Sequence, residues 1–359
     1  MPNDQRLNDW LKERKARFNE RRADELFERI CQQDRSALSA GITLVESSRL
    51  EDRFEANKLL QLCLAQNKRA WRIGITGVPG VGKSTFIEFF GNFILQHKQS
   101  LAVLAIDPSS NVSGGSILGD KTRMETLSNN ERVFIRPTAA GTTLGGVARH
   151  TREAIILCEA AGFEVIFIET VGVGQSETIV HSMVDFFLLL MLAGAGDELQ
   201  GMKRGIMEMA DGMIITKADG ENIQKSNWAR REYANALHLF PPKENDWITH
   251  VHTASSLKGE GFEEIWKNID SFFNRMNNSG WITENRKRQE LAILEEMLRS
   301  LLQSDFFSND LWMEKYHTVE ERVKSGNILA YQAAEELFET FHRSLRLGWH
   351  SCSYSLRAP

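Results

Sequence analysis

The stretch Arg72-Ile73-Gly74-Ile75-Thr76-Gly77-Val78-Pro79-Gly80-Val81-Gly82-Lys83-Ser84 decides the fold of this chain. Its first five residues read as a buried strand. The strand runs directly into G-x-x-x-x-G-K-S, and Thr85-Phe86-Ile87-Glu88-Phe89-Phe90 then takes up helical apolar spacing. Strand, glycine loop and helix in that order make a phosphate cradle. The glycines let successive backbone N–H groups turn inward around an anion, some at positive φ and none with a Cβ in the way. The helix starting near Lys83 aims its free N–H groups and the positive end of its dipole at the same anion. Lys83 adds a full charge toward the β- and γ-phosphate oxygens, and Ser84 is placed to ligate Mg2+. The expected cradle is therefore Gly77, Val78, Pro79, Gly80, Val81, Gly82, Lys83, Ser84 and Thr85.

Outward from this loop, short β-rich runs alternate with helical stretches, the pattern of parallel strands joined by crossover helices. The spacing predicts strands at Arg72 to Thr76, Leu101 to Ile106, Val133 to Arg136, Val165 to Glu169, Val184 to Leu192, Gly212 to Thr216 and Trp247 to Thr253. The expected class is a three-layer α/β fold with a mostly parallel sheet. Before it, from Asn3 to about Gln66, apolar residues recur at helical spacing, as in Leu7, Trp10, Leu11 and Leu59, Leu60, Leu62. After Phe273 the strand signal vanishes, and Leu291, Leu294, Met297, Leu298, Leu301 and Leu302 continue a helical pattern to about Leu347. The expected division is a helical extension over 1–68, a nucleotide-binding domain over 69–275 and a helical region over 276–359. An amphipathic tail outside the central domain, carrying Trp312 and Trp349, needs an apolar partner, either a second copy of the chain or its own domain.

Composition narrows the function classes. With 359 residues and 42% hydrophobic content the chain can bury a large core. A net charge of -5 argues against a dedicated nucleic-acid binder. Cys31, Cys63, Cys158 and Cys352 show no C-x-x-C spacing, which fits a reduced compartment. The basic N-terminal run is interleaved with Glu13, Glu20 and Asp24, unlike a secretory or transit segment. The longest apolar run, Phe186 to Ala195, is about half of a membrane span and reads as a buried strand. A cytoplasmic protein without a membrane segment is the expectation.

A phosphate cradle does not select the base. Thr216-Lys217-Ala218-Asp219 follows the apolar strand Met213-Ile214-Ile215 and resembles the N/T-K-x-D element of GTPases. Asp219 would accept from guanine's ring N–H and its amino group. Adenine offers neither donor, so charge-assisted bonds of roughly 1.5–3 kcal/mol each would be lost. A helix N-cap is the alternative role for Asp219. Thr253-Ala254-Ser255-Ser256-Leu257-Lys258 resembles the later S-A-K-type guanine loop, which adds Lys217, Ser255, Ser256 and Leu257 to the expected base site.

Three carboxylates are candidates for the metal. Glu169 ends the strand Val165 to Ile168 and opens an E-x-x-G, Asp107 ends Leu101 to Ile106, and Asp120 lies in Gly119-Asp120-Lys121. With Ser84 they form a hard-oxygen set suited to Mg2+, although each also suits a turn or cap. Glycine-rich Ser113-Gly114-Gly115-Ser116 and Gly172-Val173-Gly174-Gln175 are expected to reorganise around a γ-phosphate as switches I and II, with plain connectors as the alternative. Gly194 to Arg204 is a third glycine-punctuated polar loop, either a functional lid or a connector.

With these residues in hand, the chain resembles the MeaB/ArgK-type G proteins, the GTPase chaperones of adenosylcobalamin-dependent methylmalonyl-CoA mutase, within a wider group of metallocentre-assembly GTPases. The resemblance covers nearly everything from Ala40 to Phe272. It is carried by Asp107-Pro108-Ser109-Ser110, Leu118-Gly119-Asp120-Lys121-Thr122-Arg123-Met124, Glu169-Thr170-Val171-Gly172-Val173-Gly174-Gln175-Ser176-Glu177 and Gly196-Asp197-Glu198-Leu199-Gln200-Gly201. It implies a three-layer P-loop fold of the SIMIBI type and a homodimeric, slow GTPase. Such a protein binds the mutase, gates cofactor loading and protects the active enzyme. GTP or GDP with Mg2+ would be the cofactors. Asp197, Gln200 and Lys203 would form a third switch supporting stimulated hydrolysis, alongside Lys83, Glu169 and Asp120 in the catalytic set. Two positions depart from the pattern: Thr216 stands where Asn is commoner, and Ala140 precedes Gly141 where Arg is common. The rival readings are a metal-delivery GTPase, a transport-associated ATPase or kinase, and a nucleotide-binding scaffold without turnover. A metal carrier would call for a Cys or His cluster, and His250 with His252 is the one close histidine pair, expected at a strand edge.

Overall fold

The strand that feeds the glycine loop is β1, Trp71–Gly77, and it lies at the centre of a parallel seven-stranded sheet. The structure, a computed structural model, describes residues 23–47, 49–106, 124–138, 144–170, 176–194, 204–307 and 310–349. The other strands are β2 (Leu101–Ile106), β3 (Val133–Thr138), β4 (Val165–Thr170), β5 (Phe186–Leu192), β6 (Gly212–Thr216) and β7 (His250–Thr253). Their order is β3-β2-β4-β1-β5-β6-β7, and every pair is parallel. β2 and β4 are buried along their whole length, because a parallel sheet covered on both faces needs unbroken apolar strands.

Helices fill both faces. Among the described residues three precede the sheet: α1 (Ala23–Cys31), α2 (Arg35–Val45) and α3 (Leu50–Ala65). Those interleaved with the strands are α4 (Lys83–Ile94), α5 (Glu125–Ser128), α6 (Leu144–Ala160), α7 (Ser176–His181), α8 (Arg204–Met209) and α9 (Asn222–Leu237). Four follow the last strand or continue from it: α10 (Phe262–Asn278), α11 (Trp281–Phe307), α12 (Asp310–Lys324) and α13 (Ala330–Trp349). Strand alternation splits the core in two. Ile73 and Ile75 face a cluster with Phe167 of β4, Phe86 and Phe90 of α4, and Phe262 and Phe273 of α10. Ile166 and Ile168 face the opposite cluster with Val180, Val184 and Phe187.

The N-terminal helices belong to that second cluster through Leu38, Ile42 and Leu59 packed with Leu157 of α6. At Gly41, α2 lies close against α1 and α3, since a Cβ there would lie 3.0 Å from Ile30 Cδ1 and 3.3 Å from Leu59 Cδ2. Asp34 caps α2 by accepting from the N–H groups of Ser36 and Ala37. Arg136 of β3 donates to Ser39 Oγ and Glu46, which ties α2 to the sheet edge.

Two expected strands are shorter than their apolar runs. β5 begins at Phe186 rather than Val184, because the Asp185 carboxylate accepts from the Arg72 N–H at 3.0 Å before the ladder starts at Ile73 and Phe186. β7 begins at His250 rather than Trp247: the Trp247 indole donates to Asp211 O at 2.9 Å and Thr249 Oγ1 to Ala210 O at 2.7 Å. Side chains there anchor the segment that the backbone ladder does not. β7 is the sheet edge, as expected for His250 and His252.

The chain divides into two compact units, Met1–Gln289 and Glu290–Pro359. In the second unit α12 packs on α13, with Phe306, Trp312 and Phe341 in mutual ring contact at 5.0–6.2 Å.

The first unit is locked at the N-terminal ends of its strands by a buried ion network. Arg286, on the first turns of α11, donates to both oxygens of Asp185 at 2.8 and 2.6 Å and to Glu159 at 3.2 Å. Arg72 forks onto the same Glu159 at 3.0 and 2.8 Å. The Asp185 side chain is 0% exposed. Losing one cation from such a set strands a buried carboxylate, so Arg286→Ala is expected to cost about 3–5 kcal/mol in a urea unfolding titration. A loss within 1 kcal/mol, on the order of a surface pair, would contradict the network's role.

Candidate functional site

The glycine loop leaves the C-terminal end of β1 between β4 and β5. Gly77 has no room for a side chain: a Cβ would lie 2.5 Å from Leu190 O. Gly80 and Gly82 hold φ of +76° and +90°, left-handed values that an L side chain rarely takes. Val78 and Val81 are buried and plug the underside of the loop, while Pro79 and Gly80 stay exposed. Gly82 precedes α4, so Lys83, Ser84 and Thr85 form the first helical turn and their N–H groups face the loop's concavity. Lys83 Nζ donates to Gly77 O at 2.9 Å. Burial pushes this ammonium below its ordinary pKa, and the Glu169 and Glu177 carboxylates pull it back up.

The base motif is bolted to this loop. Thr216 Oγ1 donates to Val81 O at 2.8 Å and lies 3.2 Å from Met191 O. Lys217, itself at φ +55°, donates from Nζ to Gly80 O at 2.8 Å. Thr216 thus fills the place of the commoner Asn with a hydroxyl that grips the phosphate loop. Asp219 accepts from Ser255 Oγ at 2.6 Å, and the Lys258 N–H donates to that same Oγ at 3.2 Å. The Ala218 N–H bonds Ala254 O at 3.1 Å, so the two guanine segments are held side by side. Asp219 is not an N-cap: that position in α9 is Glu221, which makes no side-chain cap bond. Ser256 is half-buried and Leu257 is exposed beside them. Gly261 closes the loop at φ +88°, where a Cβ would lie 2.1 Å from Thr253 O.

Glu169 sits at the end of β4, 3% exposed, in register with Ile75 of β1 and Ala105 of β2. One residue on, Thr170 Oγ1 and Thr76 Oγ1 are 2.8 Å apart, joining the two strands that lead to the loop and to the E-x-x-G. Asp107, Asp120, Asp197, Gln200 and Lys203 lie outside the described residues, as do 113–116, 139–143 and 172–175. Ser84 and Glu169 offer hard oxygens at the phosphate end of the sheet, which fits Mg2+ chemistry. Among the described residues no group of three or more His, Cys, Asp or Glu could hold a metal by itself. His252 instead lies 3.2 Å from Asn268 Nδ2 and its pKa is lowered by burial.

Glu177 closes the Glu169 to Glu177 stretch quoted above but is not among the expected site residues. It is 2% exposed on α7 and is one of the two carboxylates acting on Lys83. Its place depends on how α7 packs, which a local pattern does not state.

Residues 38–310 match the family described as methylmalonyl Co-A mutase-associated GTPase MeaB. The chain is 40% identical to GTPase ArgK of Escherichia coli (strain K12), over 90% of this chain and 97% of that protein. It is 41% identical to a methylmalonic aciduria type A homolog, mitochondrial, of Mus musculus, over 92% of this chain and 81% of the mouse protein. A crystal structure described as an LAO/AO transport system kinase aligns with a TM-score of 0.74 at 34% identity, covering 89% of this chain and 97% of that one.

The site yields two expectations. Lys83→Ala is expected to abolish guanine-nucleotide turnover and sharply weaken binding, as measured by phosphate release and nucleotide titration; unchanged hydrolysis would refute the cradle assignment. Asp219→Asn is expected to lower the preference for guanine over adenine nucleotides about ten- to a hundredfold per bond lost, read from competition binding.

Proposed function

The chain belongs to the MeaB family of GTPases, and on that footing we propose that it is a GTP-driven chaperone of an adenosylcobalamin-dependent mutase. The client we assign is methylmalonyl-CoA mutase or a related acyl-CoA mutase, with cofactor loading gated and the active enzyme protected. The family match over residues 38–310, to GTPases described as mutase-associated, carries this reading.

GTP hydrolysis here needs positioning and charge stabilisation more than covalent chemistry. Water attacks the γ-phosphorus, the bond to the β–γ bridging oxygen breaks, and GDP leaves. Lys83 and the first-turn N–H groups of α4 stabilise the charge that develops on the phosphoryl oxygens. When bound, Mg2+ neutralises phosphate charge, and Ser84, Asp107, Asp120 and Glu169 are the oxygens we assign to it. Glu169 and Asp120 are also our candidates for orienting the water, and Gln200 and Lys203 for stimulated turnover. Asp219 as acceptor for guanine's ring N–H and amino group favours guanine over adenine and so disfavours the ATPase or kinase reading, and Ser255 Oγ orients that carboxylate at 2.6 Å.

A homodimer is part of the proposal. Leu291, Leu294, Leu298 and Leu301 of α11 are 55–64% exposed. Their alternating spacing of three and four residues is that of a coiled-coil seam, which supports a second copy as partner. The cytoplasm is the compartment we assign; no described helix is long and apolar enough to cross a membrane.

Two measurements test this. Immobilised protein loaded with GDP or with a non-hydrolysable GTP analogue is expected to retain the purified mutase, with nucleotide-dependent affinity; no retention in either state would refute the client assignment. Leu294→Glu with Leu298→Glu is expected to convert the dimer to a monomer in sedimentation equilibrium, leaving nucleotide binding intact.

A further inference from the structure

One row of the sheet carries a polar pair where its neighbours are apolar. Across the ends of β2, β4, β1 and β5 the residues in line are Ile106, Thr170, Thr76 and Leu189, with Ile106 paired to Thr170 and Thr76 to Leu189. Ile106 and Leu189 belong to the core cluster that contains Val180 of α7, so the two threonines between them face that cluster as well. Thr76 is 1% exposed and Thr170 0%, and their hydroxyl oxygens lie 2.8 Å apart. Valine has nearly the same shape and the same preference for strands, and it would fill this row without burying a hydroxyl. What the hydroxyls add is a directional bond beyond the last rung of the backbone ladder. That ladder joins β1 to β4 from Trp71 and Val165 as far as Ile75 and Glu169. Past it, Thr76 and Gly77 continue along β5 while Thr170 continues along β2. The side-chain bond therefore ties the two strand ends together where they turn to different neighbours.

We propose that Thr76 and Thr170 are positioning residues for GTP hydrolysis, their hydroxyl bond holding the end of β4, and with it Glu169, at a fixed distance from the strand end that carries the glycine loop. This rests on the phosphate-site reading above. β1 continues into Gly77, whose carbonyl accepts from Lys83, and then into the loop that starts α4. β4 ends at Thr170, one residue after the carboxylate proposed for Mg2+ and for the attacking water. The phosphates are thus held from β1, and the group proposed to orient their attacker comes from β4. Nucleotide binding draws on the β1 loop and on the base motif after β6, whereas the chemical step also needs the separation of the β1 and β4 ends to be right. A small misplacement of that kind costs rate more than affinity.

The test is single-turnover GTP hydrolysis by the full chain, measured beside its affinity for a fluorescent GDP analogue. Thr76→Val with Thr170→Val removes both partners and leaves no hydroxyl unpaired, so the fold is expected to hold. In this double variant hydrolysis is expected to slow about tenfold, the worth of one hydrogen bond, while affinity changes by less than about twofold. Each single valine substitution breaks the same bond and is expected to slow hydrolysis as much as the double does, so the effects do not multiply. If the double variant does not fold, Thr170→Val against Thr170→Ser carries the test, since serine keeps the hydroxyl and is expected to retain most of the parent rate. An unchanged rate in the double valine variant overturns the proposal, as do single losses that multiply in the double. So does a fall in affinity as large as the fall in rate, which is the signature of a merely structural pair. Lys83→Ala serves as the control: if it hydrolyses GTP as the parent does, the phosphate-site reading itself fails, whatever the threonines do.

Discussion

Two side chains fix the outward carbonyls of the glycine loop, and the nucleotide site depends on them. Lys217 Nζ holds Gly80 O, and Thr216 Oγ1 holds Val81 O. In a planar trans peptide the C=O and the following N–H point in opposite directions. Gripping Val81 O from outside therefore turns the Gly82 N–H the other way, into the cradle. The loop needs this outside help because its own geometry is costly: Gly80 and Gly82 sit at left-handed φ, and Lys217 accepts φ +55° in order to reach across. The segment from Thr216 to Asp219 and the glycine loop are for this reason one structure, and the strand that ends in Thr216 is also the strand that stiffens the loop.

Much of this was legible in the sequence because it is local. G-x-x-x-x-G-K-S after a strand, T-K-x-D after another, and unbroken apolar runs for β2, β4 and β5 each show their meaning within about ten residues. The rest depends on contacts between distant segments. Trp247 and Asp185 trim their strands by bonding to Asp211 and Arg72, 36 and 113 residues away. The network of Arg72, Glu159, Asp185 and Arg286 spans most of the first unit, and none of its members has a motif. Glu177 ends a quoted motif, but its burial follows from α7 packing on β1 rather than from that local pattern.

The helices before the sheet illustrate a different division between pattern and destination. Apolar periodicity announced them as amphipathic, but not which surface they cover. Gly41 shows how close the fit is, and Arg136 supplies the polar tie at the sheet edge. They extend the α6 face of the sheet and bury Leu38, Ile42 and Leu59 there, making one continuous core with Ile166 and Ile168.

The contact of Gly74 with Val180 has a mechanical consequence. The Val180 side chain takes the space that a Cβ on Gly74 would need, with Phe187 and Val184 also within 3.1 Å of it, so the spacing of α7 from the β1 backbone is set at that one residue.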